Sequence, residues 1–149
     1  MSAFSPSARQ SLELARNEAP RLHHNFIGTE HVLLGLLALE KGVVPNVLKT
    51  MGVDREGLRK QIEDLVSIFS SPKMRSELPF TPRVKRSLKL AALEAKFSPD
   101  ECIEAEHIFL GLLLEGDGVA GRVLKSLGLR SEATRAEILK ELDRNQRKI

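Results

Sequence analysis

Apolar residues fall at helical spacing through most of the chain. Leu12, Ala15 and Ala19 mark one face of a first helix, and Leu88, Ala91 and Ala95 mark the same face of another much further along. Each is followed by a run that is apolar almost all round, "VLLGLLAL" (Val32–Leu39) and "HIFLGLLLE" (His107–Glu115). Such runs predict buried rather than amphipathic helices. Shorter helices carry Val47-Leu48 and Val123-Leu124. The boundary signals agree. Ser5-Pro6 and Thr81-Pro82 each offer a hydroxyl cap followed by proline at the first helical position, where a missing N–H is harmless. Thr29 is a candidate cap for the second helix, expected to run to about Glu40. Gly42 and Gly118 fit the break after the buried helices, and Gly52 and Gly128 fit left-handed C-terminal positions. Asp54 and Ser131 are candidate caps for the last helix of each set. No segment shows sustained strand alternation. The prediction is all-α: eight helices in two pseudo-symmetric four-helix repeats, packed as one compact domain.

The two sets are copies. Laying Phe4 on Phe80 without a gap pairs Pro6 with Pro82, Ser11-Leu12 with Ser87-Leu88, and Glu18-Ala19 with Glu94-Ala95. It also pairs Glu30-His31 with Glu106-His107, Leu34–Leu37 with Leu110–Leu113, and Val47–Lys49 with Val123–Lys125. Repeat 1 is placed at about 4–68, a Ser/Pro-bearing linker at about 69–79 and repeat 2 at about 80–145, within a single domain of 1–149. Either half alone makes only a marginal core, so the halves are expected to pack together.

Composition narrows the chemistry. A net charge of +3 is too small to argue for nucleic acid without a clustered basic face, and Arg83, Lys85, Arg86 and Lys89 read as the solvated side of a helix. Cys102 is the single cysteine, so an intrachain disulfide and a cysteine-built metal site are excluded. Its counterpart is Phe26, which suggests a packing role. No apolar run approaches bilayer length and the N-terminus lacks a signal-like stretch, so a cytoplasmic protein with no membrane partner is expected. Gly116, Gly118 and Gly121 spell G-x-G-x-x-G, but after a buried helix rather than a strand. Arg122-Val123 stands where a P-loop needs Lys-Ser/Thr, so neither nucleotide fingerprint applies. His23 and His24 read as exposed on a polar loop, and His31 and His107 as satisfied imidazoles beside the buried helices. A metal- or anion-binding helical protein using His23, His24 and Glu30 is the alternative, without H-E-x-x-H spacing to support it. No nucleophile-and-base set is present; the expectation is a non-enzyme with no catalytic residue, metal or cofactor.

The stretches "FSPSARQSLELARNEAPRLHHNFIGTEHVLLGLL", "FTPRVKRSLKLAALEA" and "AEHIFLGLLLEGDGVAGRVLKSLG", with their spacing, resemble the Clp N-terminal domain, the paired repeat at the front of Clp/Hsp100 AAA+ unfoldases, and the ClpC type most of all. The resemblance covers nearly the whole chain. It implies a chaperone- and proteolysis-linked docking domain for Clp adaptor proteins or substrate polypeptides, some of them arginine-phosphorylated. It also allows a stand-alone accessory subunit of a Clp protease complex, partnered with a Clp ATPase. The family's ATPase ring has no counterpart in these residues.

The resemblance further implies one phosphoarginine site per repeat, around the Gly-Thr-Glu-His phrase. Carried over, Glu30 and Glu106 grip the guanidinium, and Thr29 helps hold the phosphate beside the unhindered Gly28 backbone. A helix N-terminus suits a phosphate and a carboxylate suits a guanidinium. Repeat 2 departs from the pattern. Ala105 lacks the hydroxyl, and Glu104 adds negative charge along with Asp100 and Glu101, so the second site (Glu104, Ala105, Glu106) is expected to be degenerate. The same residues also have a purely structural reading, with Thr29 as a cap and Glu30 complementing the helix dipole. A second implied surface is an adaptor or peptide groove at Phe4, Arg9, Phe80 and Lys85; alternatively each ring is a hydrophobic staple at its helix entry.

Overall fold

The computed structural model describes residues 4–67 and 77–147, so most of the expected linker lies outside the described residues. Eight helices occur among them: α1 (Pro6–Arg21), α2 (Thr29–Leu37), α3 (Val43–Thr50), α4 (Arg55–Val66), α5 (Pro82–Ala95), α6 (Ala105–Glu115), α7 (Val119–Ser126) and α8 (Ser131–Arg147). Ser5 and Thr81 act as the expected caps, their hydroxyls accepting the N–H groups of Ala8 (3.1 Å) and Val84 (3.3 Å). Gly52 and Gly128 take positive φ, 75° and 84°. Other helix ends differ from expectation in position or in capping. α2 stops at Leu37 rather than Glu40, because Arg55 at the start of α4 donates to the carbonyls of Leu37 (3.2 Å) and Leu39 (2.6 Å) and satisfies the orphan acceptors there. Asp54 sits at the cap position of α4 without a side-chain bond to it, and Ser131 is itself the first residue of α8.

α2 and α6 form the centre, and all nine residues of α2 are buried. α1 packs on α2 and α5 on α6, and the two central helices touch. The repeats also cross: α7 packs on α2, α3 on α6, and α3 on the long α8. One continuous core therefore joins Ile27, Leu33 and Leu48 to Val84, Ile108 and Leu124. Short pairings stitch the crossing. The Ser5 N–H donates to the Ile103 carbonyl (2.9 Å) and the Thr81 N–H to the Ile27 carbonyl (3.0 Å).

The glycine inside each Leu-Gly-Leu has a steric reason. A Cβ on Gly35 would run into the Ser11 carbonyl and the Ala15 amide of α1. A Cβ on Gly111 would meet the Ser87 carbonyl and the Ala91 amide of α5 in the same way. Backbone-to-backbone contact at these points fixes how each outer helix lies on its central partner. A second seam is ionic. Glu18 pairs with Arg59 (2.5 Å) and Arg21 (2.7 Å), and Glu63 closes the network with both arginines. Repeat 2 keeps only the equivalent of the first pair, Glu94–Arg135 (2.8 Å). At the positions of Arg21 and Glu63 it carries Phe97 and Leu139, which are 87% and 61% exposed.

Candidate functional site

Gly28, not Thr29, caps α2. Thr29 is the first helical residue, and its hydroxyl accepts the N–H of Ala120 in α7 at 3.3 Å, a bond between the repeats. The cap is secured by His31, whose Nδ1 accepts the Gly28 N–H at 2.8 Å. A neutral His31 then carries its hydrogen on Nε2 and donates to His24 Nδ1 at 2.7 Å. His24 in turn directs Nε2–H at the Val66 carbonyl, 3.1 Å away at the end of α4. His24 is therefore fully buried, contrary to the expectation that it is exposed. Both of its ring nitrogens are engaged, and exposed His23 lies outside this chain of bonds. The alternative metal reading with His23, His24 and Glu30 loses its ligand. Burial depresses His31 to about 3. In repeat 2, His107 likewise accepts the Glu104 N–H (2.9 Å), but its Nε2 meets only Ser98 Oγ (3.3 Å).

Glu30 is 7% exposed, and its carboxylate folds back over Gly28, where a Cβ would collide with it. Burial raises its pKa above the ordinary carboxylate value, opposed by its own backbone N–H and by His24. It lines a cleft of about 560 Å³ at the junction where α2, α5 and α7 begin. Phe26, Gly28, Thr29 and Glu30 form one wall; Thr81–Arg83 and Asp117–Arg122 contribute the other. Arg83 donates to the buried carboxylate of Glu115 (3.0 Å) and lies 4.0 Å from Asp117. Glu115 also accepts the Gly118 N–H (2.8 Å). Arg122 is exposed and has no ion pair among the described residues. Neither arginine was singled out from sequence as a site residue. The available signal was their repeat counterparts, Ser7 and Asn46, which are uncharged. The G-x-G-x-x-G glycines belong to the same turn, where a Cβ on Gly121 would strike Gly116, so their spacing serves helix packing.

The second site is built differently. Glu106 is 4% exposed and lies against Val44, Val47 and Leu48 of α3 and Ile138 of α8. Burial, with Glu104 nearby, pushes it up to about 7. The Ala105 N–H faces Ser7 Oγ at 3.5 Å, and Asn46 donates to Glu141 at 3.0 Å. The folded state thus holds the Glu106 proton between about pH 4.5 and 7, and the stability this contributes is complete below pH 4.5 and lost as pH rises through 7. Glu106→Gln cannot ionise. Relative to wild type, it should gain about 2–3 kcal/mol between pH 4 and pH 8 in urea unfolding, and an unchanging difference would contradict this assignment.

The Phe4 and Phe80 rings are half-buried against the common core, at the two crossings between repeats. The residues a staple would use, Arg9 and Lys85, are charged and exposed. The Arg16 guanidinium stacks 4.9 Å from the Phe80 ring centre. A separate apolar groove of about 550 Å³ runs between α5 and α8, lined by Phe97, Leu110, Ile138, Leu139 and Leu142, with the Glu94–Arg135 pair on its wall.

The Clp repeat (R) N-terminal domain model matches residues 3–127 and 80–148. A probable ATP-dependent Clp protease ATP-binding subunit of Chlamydia pneumoniae is 41% identical over 94% of this chain and 17% of its own length. The chloroplastic chaperone protein ClpC1 of Oryza sativa subsp. japonica is 42% identical over 92% of this chain and 15% of its own. The chain thus spans about one-sixth of the length of these relatives. Among solved structures, the N-terminal domain of the chaperone ClpD from Arabidopsis thaliana superimposes with a TM-score of 0.69 at 28% identity, covering 93% of this chain and 96% of that one. A ClpV N-domain in complex with a VipB peptide shares the fold, with a TM-score of 0.70 at 22% identity, covering 93% and 88%. Among the described residues no helix is long and apolar enough to cross a membrane. With two repeats interlocked around α2 and α6 and this likeness along nearly its whole length, the chain belongs to the Clp N-terminal repeat domain family.

Proposed function

We propose that the chain is a non-catalytic docking module of a Clp-type AAA+ unfoldase or protease, acting in the cytoplasm and receiving adaptors or substrate polypeptides, arginine-phosphorylated ones among them. The observation that carries this reading is Glu30. It is a carboxylate more than nine-tenths buried, with no ion pair among the described residues, lining a cleft whose opposite wall brings two arginines. A carboxylate so placed suits an incoming guanidinium, and the arginines suit a phosphate attached to it. The second site, with Glu104, Ala105 and Glu106, is read as degenerate. The ClpV N-domain with its VipB peptide supports polypeptide docking as a use of this fold. The groove beside Phe97 offers apolar contact to such a chain, and the half-buried rings of Phe4 and Phe80, with Arg9 and Lys85, remain a proposed adaptor surface.

Calorimetric titration with free phosphoarginine tests the cleft. One equivalent should bind, Glu30→Ala should abolish binding, and Glu106→Ala should retain it. Two equal sites, or binding that survives Glu30→Ala, would defeat the reading.

A further inference from the structure

Repeat 1 fills with its own side chains a space that repeat 2 leaves as a groove. Between α2 and α4, the His24 and Phe26 rings stack, with centres 5.3 Å apart and planes within 6°. His24 bridges His31 Nε2 (2.7 Å) to the Val66 carbonyl (3.1 Å). The Arg21–Glu63 pair closes the outside of this seam. None of these residues recurs in repeat 2. Asp100 stands for His24, Cys102 for Phe26, Phe97 for Arg21 and Leu139 for Glu63. Asp100 is exposed, and its carboxylate accepts the Cys102 N–H (3.1 Å) instead of reaching inward. The groove of about 550 Å³ is lined by His107 and Leu142, the counterparts of His31 and Val66 that His24 joins in repeat 1. His107 is more than nine-tenths buried there, yet its Nε2 has only Ser98 Oγ at 3.3 Å among the described residues. Its Nδ1 accepts the Glu104 N–H, so a neutral ring carries its hydrogen on Nε2, as a donor on the groove wall.

We infer that the α5–α8 groove receives an aromatic side chain of a partner polypeptide, seated as His24 and Phe26 are seated in repeat 1, with His107 donating from Nε2 to a backbone carbonyl of the incoming segment. This rests on the reading of the chain as a polypeptide-docking module, and not on the Glu30 cleft. Repeat 1 supplies the template: a flat ring between the two helices and an acceptor against the imidazole N–H. In repeat 2 the ring would lie among Phe97, Leu139 and Leu142, where an aromatic group buries the most apolar area. The acceptor matters because a buried N–H with a poor partner is costly. A carbonyl suits the place better than a carboxylate. Asp100, Glu101 and Glu104 make the adjoining loop acidic, while Arg135 on the groove wall is already paired with Glu94. The same loop favours lysine or arginine beside the aromatic residue.

The test is a titration of blocked tripeptides followed by backbone amide spectra. Acetyl-Lys-Phe-Lys-amide should shift Phe97, Ser98, His107 and Leu139, and the Lys-Ala-Lys and Glu-Phe-Glu versions should each bind about ten-fold more weakly. Asp100→His combined with Cys102→Phe rebuilds the repeat 1 side chains and should abolish these shifts. Phe97→Arg combined with Leu139→Glu changes two exposed positions and should abolish them too, so the test does not depend on the first variant folding. No shift at these residues in wild type, equal binding of the phenylalanine and alanine peptides, equal or tighter binding of Glu-Phe-Glu, or unchanged binding in either folded double variant would overturn the inference. Free phosphoarginine, titrated into the same wild-type sample, reads the Glu30 cleft separately, so failure of the groove and failure of the cleft are told apart.

Discussion

Gly35→Ala should destabilise the protein by about 3 kcal/mol, and Gly111→Ala by a similar amount. On helix propensity alone each change is favourable by about 1 kcal/mol, since glycine is the poorest ordinary helix former. The sign reverses because the new methyl has nowhere to go. At Gly35 it faces the Ser11 carbonyl and the Ala15 amide, and at Gly111 the Ser87 carbonyl and the Ala91 amide. Backbone cannot swing aside as a side-chain tip can, so α1 must lift from α2, or α5 from α6, and part of the shared core opens. Urea unfolding measures the effect as a lower midpoint. A stabilised Gly35→Ala would mean that the two helices do not approach as closely as described. Gly57→Ala is the contrast: its methyl would meet only the carboxylate tip of Asp54, which can turn away.

His31→Leu is the second large effect, a loss of about 3 kcal/mol at neutral pH. It leaves the buried Gly28 N–H without an acceptor and His24 Nδ1 without a donor, and each orphaned group costs about 1–3 kcal/mol. His107→Leu should cost less, because His107 has the Glu104 N–H and only a long contact to Ser98. The loss also depends on pH. His31 sits at about 3 in the folded protein, below its ordinary 6.5, so the unfolded chain binds the extra proton between those values. The stability due to neutral His31 is complete above pH 6.5 and falls away as pH drops toward 3. The gap between wild type and His31→Leu should therefore narrow from pH 7 to pH 4. A gap that stays constant would show that the imidazole titrates normally in the folded state.

Much of the fold is legible in the residues themselves. The duplication, the eight helices and the Ser5 and Thr81 caps all follow from local pattern, because helical period and capping are local physics. The recurrence of Glu18 with Arg59 and of Glu94 with Arg135 at one spacing would also have announced the α1–α4 and α5–α8 seams. The site is less legible. Thr29 resembles a cap by residue type, yet its oxygen is used by α7 of the other repeat. His24 looks like a polar loop residue, yet tertiary packing buries it against His31 and Val66. The place of Arg83 and Arg122 in the cleft is hidden because aligning the repeats compares like with like. The cleft instead joins unlike positions, the start of α2 from one repeat and the starts of α5 and α7 from the other.

The duplicated scaffold has also diverged at its surface. The ion pairs Arg21–Glu63 and Arg59–Glu63 close the seam in repeat 1, whereas exposed Phe97 and Leu139 flank the open groove in repeat 2. Two repeats with one core thus present unlike surfaces: a polar cleft beside Glu30 and an apolar groove beside Phe97.

Backbone amide spectra recorded during titration with free phosphoarginine test the unequal-site account most directly. Shifts confined to Gly28–His31, Arg83 and Gly118–Arg122, with Glu104–His107 unmoved, are the predicted result. Equal shifts at both Glu-His phrases, or shifts at Glu104–His107 alone, would contradict it.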